Sequence, residues 1–228
     1  MSAAQTVLIV GASRGIGHEF ARQYAQDGAR VLATYRHDAD RAALEALGAQ
    51  ALALEVTDPD AQTQLPVRLA SESLDIVILN AGVYGPRTQG LAPTSQADFN
   101  AVMHTNVWAP MQLMALLGPG LKPGAKLAVI SSSMGSTSSM KEPSGWLYRA
   151  SKAALGNALR AASLVLGDRS AGVVCMAFHP GWVKTDMGGP SASLEVSESV
   201  AGMRRVIAAA NQSHNGKFLN YTGAQLDW

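Results

Sequence analysis

The chain has 228 residues, 47% apolar and 15% charged, with a formal charge of +1 and a single cysteine. This length and apolar content suit one α/β domain with a sizeable core, and a near-neutral chain without a Lys/Arg cluster argues against a nucleic-acid partner. Cys175, alone in the run VVCMAF, can form no internal disulfide and reads as a packed thiol of a reducing compartment, while the first apolar run, TVLIV, is too short for a membrane span and no basic leader precedes it.

Short apolar runs alternate with Ala-rich or amphipathic segments, the pattern of repeated βα units on a parallel sheet. Strands are expected at residues 6–10, 30–34, 50–54, 74–79, 125–130, 172–178 and 217–219. Helices are expected at residues 15–27, 38–47, 58–72, 96–117, 145–166 and 197–211. Strands this apolar must be covered on both faces, giving a three-layer α/β fold with a seven-stranded, mostly parallel sheet and helices on both faces. No repeat or linker interrupts the series, so residues 1–228 are read as one domain. The charged fraction lies below the roughly 25% of an average soluble protein, and a homodimer or homotetramer in the cytoplasm is expected.

The first βα junction reads GASRGIG. Gly11, Gly15 and Gly17 suit a tight turn, close approach of backbone to a pyrophosphate and close helix–sheet packing, with the helix N-terminus attracting phosphate. The spacing is G-x-x-x-G-x-G, and the intervening Ser13, Arg14 and Ile16 belong to the same cofactor loop. The second strand ends in ATYRH. An NAD site usually presents an acid there, whereas Thr34 and Tyr35 are uncharged, Arg36 follows, and Arg14 is near in the loop. Two guanidinium groups suit a 2'-phosphate, which favours NADP(H), unless Arg36 is an ordinary solvated charge.

Tyr148 and Lys152, in YRASK, stand one helical turn apart on one face. With GASRGIG, the NAG of Asn80, Ala81 and Gly82, ISSSMG after the fifth strand and PGWVKT after the sixth, this series resembles the short-chain dehydrogenase/reductase family in order and strand-end placement along nearly the whole chain. HPGWVKTDMGG and the ending GKFLNYTGAQLDW resemble its sniffer and C-factor-like branch.

The resemblance implies a Rossmann-type sheet and a catalytic Asn106, Ser132, Tyr148 and Lys152. Tyr148 would donate a proton to a carbonyl oxygen as hydride arrives from the nicotinamide. Lowering a phenol from near 10 to near 7 requires roughly 4 kcal/mol of preferential phenolate stabilisation, for which Lys152 and the oxidised nicotinamide are suitable neighbours. Ser132 is taken from the consecutive Ser131, Ser132 and Ser133 by motif matching alone. Asn106, in the long fourth helical segment, matches a family asparagine whose backbone distortion holds a water that passes protons to the lysine.

For the cofactor the resemblance further implies Asn80, Ala81 and Gly82 beside the adenine ribose, and Pro180, Gly181, Val183 and Thr185 at the nicotinamide. Two departures stand out. Glu55-Val56 replaces the usual Asp-Val, so either the longer acid reaches adenine or Val56 acts through its backbone alone. Val10 replaces a threonine and removes a loop hydrogen bond. Trp146, Trp182 and Trp228 suit apolar walls for an aldehyde, ketone or quinone, or else core or subunit packing. No Cys/His/Asp/Glu cluster has metal-ligand spacing. The activity implied is NADPH-dependent carbonyl reduction; the alternatives are a dinucleotide-binding signalling protein of C-factor type and an NAD-linked alcohol dehydrogenase.

Overall fold

Seven strands, β1 (Thr6–Val10), β2 (Arg30–Tyr35), β3 (Gln50–Ala53), β4 (Ile76–Leu79), β5 (Lys126–Ile130), β6 (Val174–His179) and β7 (Lys217–Asn220), pair in the order β3-β2-β1-β4-β5-β6-β7. Every neighbouring pair is parallel. The structure, a computed structural model, describes residues 4–168 and 172–228; the first three residues, on which the reading of no leader partly rests, lie outside them. No described helix is long and apolar enough to cross a membrane.

Alternation along the strands divides the core into two layers. Leu8, Val10, Leu127 and Val129 face one side, packed with Leu65, Leu113, Leu155 and Leu159. Val7, Ile9, Ala128 and Ile130 face the other, packed with Phe20, Leu44, Met203 and Ile207. The first layer is covered by α3 (Pro59–Arg68), α5 (Ala109–Leu117) and α6 (Trp146–Gly167), the second by α1 (Gly15–Gln26), α2 (Arg41–Glu45) and α7 (Val196–Ala209).

Several expected boundaries move for identifiable reasons. The third helical segment begins where the Asp58 carboxylate accepts from the Asp60 and Ala61 N–H groups and closes at Arg68, four residues early, with Pro66 in its last turn and the Leu69 N–H closing it on the Leu65 and Pro66 carbonyls. The segment expected as one helix over residues 96–117 is α4 (Gln96–Met103), a π-helical turn (His104–Trp108) and α5. The Ala109 N–H reaches back five residues to the His104 carbonyl. Pro110 has no N–H to offer the Asn106 carbonyl four residues before it, so the regular α pattern is interrupted at that point.

Candidate active site

In this strand order β2 and β4 flank β1, so the connections leaving β1 and β4 run to opposite faces and open a crevice beyond the strands' C-terminal ends. The glycine loop lies there. Gly11 has φ +83°, and a Cβ on it would lie 2.8 Å from the Ala81 backbone. A Cβ on Gly17 would collide with the Gly11 carbonyl. The Gly11 N–H donates to Thr34 Oγ1 at 2.9 Å, and Asn80 Nδ2 donates to the Gly11 carbonyl at 2.7 Å. Asn80 and Ala81 also donate their N–H groups to the Val10 carbonyl. Thr34 thus restores a hydroxyl acceptor to a loop where Val10 has replaced a threonine. No side chain caps the N-terminus of α1, where Arg14 is extended, so its first N–H groups remain open to an anion.

At the end of β2, Thr34 and Tyr35 are buried and Arg36 is exposed, its Nε 2.9 Å from His37 Nε2. Arg14 is held by Asp186 at 3.0 Å across the crevice, both side chains largely exposed. The expected guanidinium pair is therefore split: Arg14 is committed to a carboxylate, and Arg36 has none among the described residues. The Glu55 carboxylate turns back to accept from the Thr57 N–H and hydroxyl, and the carbonyl of buried Val56 accepts from Gln62 Nε2.

Asn106, wholly buried in the π-helical turn, holds the strand extension after β4 at both ends: its Oδ1 accepts from the Val83 N–H and its Nδ2 donates to the Val83 carbonyl, each at 2.8 Å. The same Nδ2 reaches Ser151 Oγ at 3.0 Å, and Ser151 donates to the Tyr148 carbonyl. One amide side chain thereby ties the π turn, the NAG loop and α6 together. Ser132 begins the turn after β5 and accepts from the Met134 N–H; Ser131 is buried and spends its N–H on Phe178.

Tyr148 and Lys152 are 7% and 5% exposed on the inner face of α6. Lys152 Nζ donates to the Ile130 carbonyl at 2.9 Å and lies 5.6 Å from the Tyr148 ring centroid. Burial pushes the Tyr148 phenol up to about 12, with the neighbouring Ser132 hydroxyl pulling the other way. Burial pushes Lys152 down to about 8. Gly82 and Gly135 leave room for this group: a Cβ on Gly82 would lie 3.5 Å from Lys152 Nζ, and one on Gly135 2.8 Å from the Lys152 backbone.

The segment after β6 folds over the glycine loop. Val183 bridges to Leu194, and the Thr185 methyl approaches the position of a Cβ on Gly15 to 3.3 Å. Pro180 accepts from the buried Ser199 hydroxyl, and Gly181 has φ +87°. Of the three tryptophans expected as apolar walls, Trp182 is exposed and donates to the Gly188 carbonyl. Trp228 stacks on Phe218 against Gly156. Trp146, two residues before Tyr148, lies on the far side of the helix, where it lines an apolar cavity of about 220 Å³ with Leu91, Met134 and Met140. Sequence reading missed Thr34 as an acceptor, Ser151, Asp186 and Tyr84. Only Tyr84 carried a local signal, an aromatic side chain two residues after NAG. Among the described residues no cluster of His, Cys, Asp and Glu is placed to hold a metal ion.

The family model for short chain dehydrogenase matches residues 5–195. The C-signal protein of Myxococcus xanthus is 40% identical over 157 residues, 68% of this chain and 93% of that protein. A carbonyl reductase from Pseudomonas aeruginosa PAO1 in complex with NADP superposes with TM-score 0.87 at 34% identity, over 99% of this chain and 100% of the other. The carbonyl reductase Sniffer of D. melanogaster superposes with TM-score 0.89 at 27% identity, over 99% and 100%.

Proposed function

This chain belongs to the short chain dehydrogenase family, and from that membership we propose that it is an NADPH-dependent oxidoreductase that reduces a carbonyl group of an aldehyde, ketone or quinone, with Tyr148 as proton donor. The observation that carries the reading is the gathering of Tyr148, Ser132 and Lys152 beyond β5, beside the glycine loop of β1. NADP(H) is supported by the glycine cradle, the uncapped N-terminus of α1, the absence of an acid at the end of β2 and Arg36 free of any carboxylate among the described residues. The NADP complex of the Pseudomonas carbonyl reductase supports the same choice. Gly11, Ser13, Arg14, Gly15, Ile16 and Gly17 would hold the phosphates, Arg36 the 2'-phosphate, Asn80, Ala81 and Gly82 the ribose side, Val56 adenine, and Val183 and Thr185 the carboxamide.

Bound NADPH supplies a hydride to the carbonyl carbon. The chain's part is to hold the carbonyl oxygen between the Ser132 and Tyr148 hydroxyls and to deliver the Tyr148 proton as negative charge grows there. With the phenol pushed up to about 12 by burial, phenolate is disfavoured until positive charge is near. The Lys152 ammonium provides it, and an oxidised nicotinamide bound beside the phenol would add to it. Lys152, pushed down to about 8, exchanges its proton readily near neutrality, and the interrupted helix at Asn106 offers a carbonyl to a water that returns it. Exposed apolar Met111, Leu164 and Val165 on α5 and α6 suit a homodimer or homotetramer, and the lone, buried Cys175 suits the cytoplasm.

The test is NADPH oxidation over a panel of aldehydes, diketones and quinones, with Tyr148→Phe as control. Turnover lost in the variant supports the enzyme. The similarity to C-signal favours a second reading, a dinucleotide-binding signalling protein, which would bind NADPH and turn over no substrate class.

A further inference from the structure

We infer that Tyr84, seated by Arg87, is a positioning residue that fixes the ring of the Tyr148 acid; this rests on the reading of Tyr148 as proton donor. The two phenol rings stack at 4.6 Å between centroids with 22° between planes. The Arg87 guanidinium covers the outer face of Tyr84 at 4.9 Å, and Lys152 Nζ lies 5.6 Å from the Tyr148 ring. Four side chains thus form a column with a cation at each end and two aromatic rings between, an arrangement favoured by the negative faces of the rings.

The column is built into the backbone around it. Tyr84 follows Val83, whose N–H and carbonyl are both held by Asn106, so its point of attachment is fixed from the π-helical turn. Gly85 then takes φ +76° and packs against Val102. Gly145, at the start of α6 with φ +65°, leaves the space into which the Tyr84 hydroxyl projects, and any Cβ there would collide with it. Arg87 also donates to the Met187 carbonyl at 2.7 Å, so the segment after β6 and the stack on Tyr148 share one side chain. A proton donor displaced by about 1 Å loses on the order of 100-fold in rate. A residue that holds the donor's ring therefore affects turnover without touching substrate.

The experiment compares Tyr84→Phe, which keeps the ring, with Tyr84→Leu, which removes it, and Arg87→Met, which removes the outer cation. Expected are kcat within about threefold of wild type for Tyr84→Phe, a loss of roughly tenfold or more for Tyr84→Leu, and an intermediate loss for Arg87→Met, with NADPH Kd unchanged in all three. A second readout needs no turnover: in fluorotyrosine-labelled protein, the 19F resonance of Tyr148, assigned by its disappearance in Tyr148→Phe, should be single and narrow in wild type and Tyr84→Phe, and broadened or split in Tyr84→Leu. Wild-type kcat in Tyr84→Leu, an equal loss in Tyr84→Phe, or an unaltered Tyr148 resonance would each overturn the inference. A wild-type protein that reduces no carbonyl would instead sink the proposed function, leaving the resonance to decide the role of Tyr84.

Discussion

Replacing Lys152 by Met should abolish carbonyl reduction and yet stabilise the nucleotide-free protein at neutral pH. Lys152 is 5% exposed, and among the described residues its hydrogen-bond partner is the Ile130 carbonyl. Burial moves its pKa from 10.5 to about 8. Between those values the unfolded chain binds a proton that the folded chain has released, so stability rises with pH there; below pH 8 both states are protonated and the fold carries the whole cost. A displacement of this size corresponds to about 3 kcal/mol at pH 7 and about 1 kcal/mol at pH 9.5. Met fills much of the same volume without charge. Against the gain stands the orphaned Ile130 carbonyl, at about 1 kcal/mol. The variant should thus gain about 2 kcal/mol at pH 7 and lose that advantage by pH 9.5. Urea denaturation followed by circular dichroism at both pH values measures it, with Lys152→Met and wild-type Lys152 compared in a Tyr148→Phe background so that no change in the phenol's titration enters the difference. A variant less stable than wild type at pH 7, or one whose advantage did not shrink with pH, would refute the reasoning.

Arg36→Ala should raise the NADPH Kd by about 10- to 100-fold, the worth of one charge-assisted hydrogen bond to phosphate, and leave NADH binding unchanged; fluorescence titration with both nucleotides checks it. Half-buried His179, whose Nδ1 is buried and without a partner among the described residues, is pushed down to about 4 by desolvation, so it is neutral in both states well above pH 6.5, and stability is lost as pH falls from there toward 4 because only the unfolded chain takes up the proton. A His179→Leu variant should show a shallower acid limb in denaturation midpoints between those values. Gly11→Ala forces a side chain at φ +83° into the Ala81 backbone, and should cost at least about 2 kcal/mol of stability with loss of nucleotide binding, read by thermal unfolding with and without NADPH.

The sheet was legible because each strand is an apolar run bounded by a polar or glycine-containing turn, and burial on both faces leaves few other interpretations of runs such as TVLIV and KLAVI. Spacing also brought Tyr148 and Lys152 to one face of α6. The backbone distortion at Asn106 was implied by the family resemblance alone, and the pattern read as one helix although Pro110 four residues later carried the signal: the apolar period continues through the irregularity, and periodicity does not register one extra residue in a turn. The Arg14–Asp186 pair and the Tyr84–Tyr148 stack join segments 172 and 64 residues apart in number. Contacts of that kind follow from how the loops beyond β1, β4 and β6 converge, which no local pattern encodes.

The measurement that bears most directly on the account follows a label from NADPH carrying deuterium at the transferred position into the product alcohol of whichever aldehyde or ketone of the panel is reduced. The account predicts deuterium on the carbinol carbon with wild type, and none within the same time with Tyr148→Phe although that variant still binds NADPH. NADPH oxidised without deuterium on that carbon, or transfer undiminished in Tyr148→Phe, would contradict it.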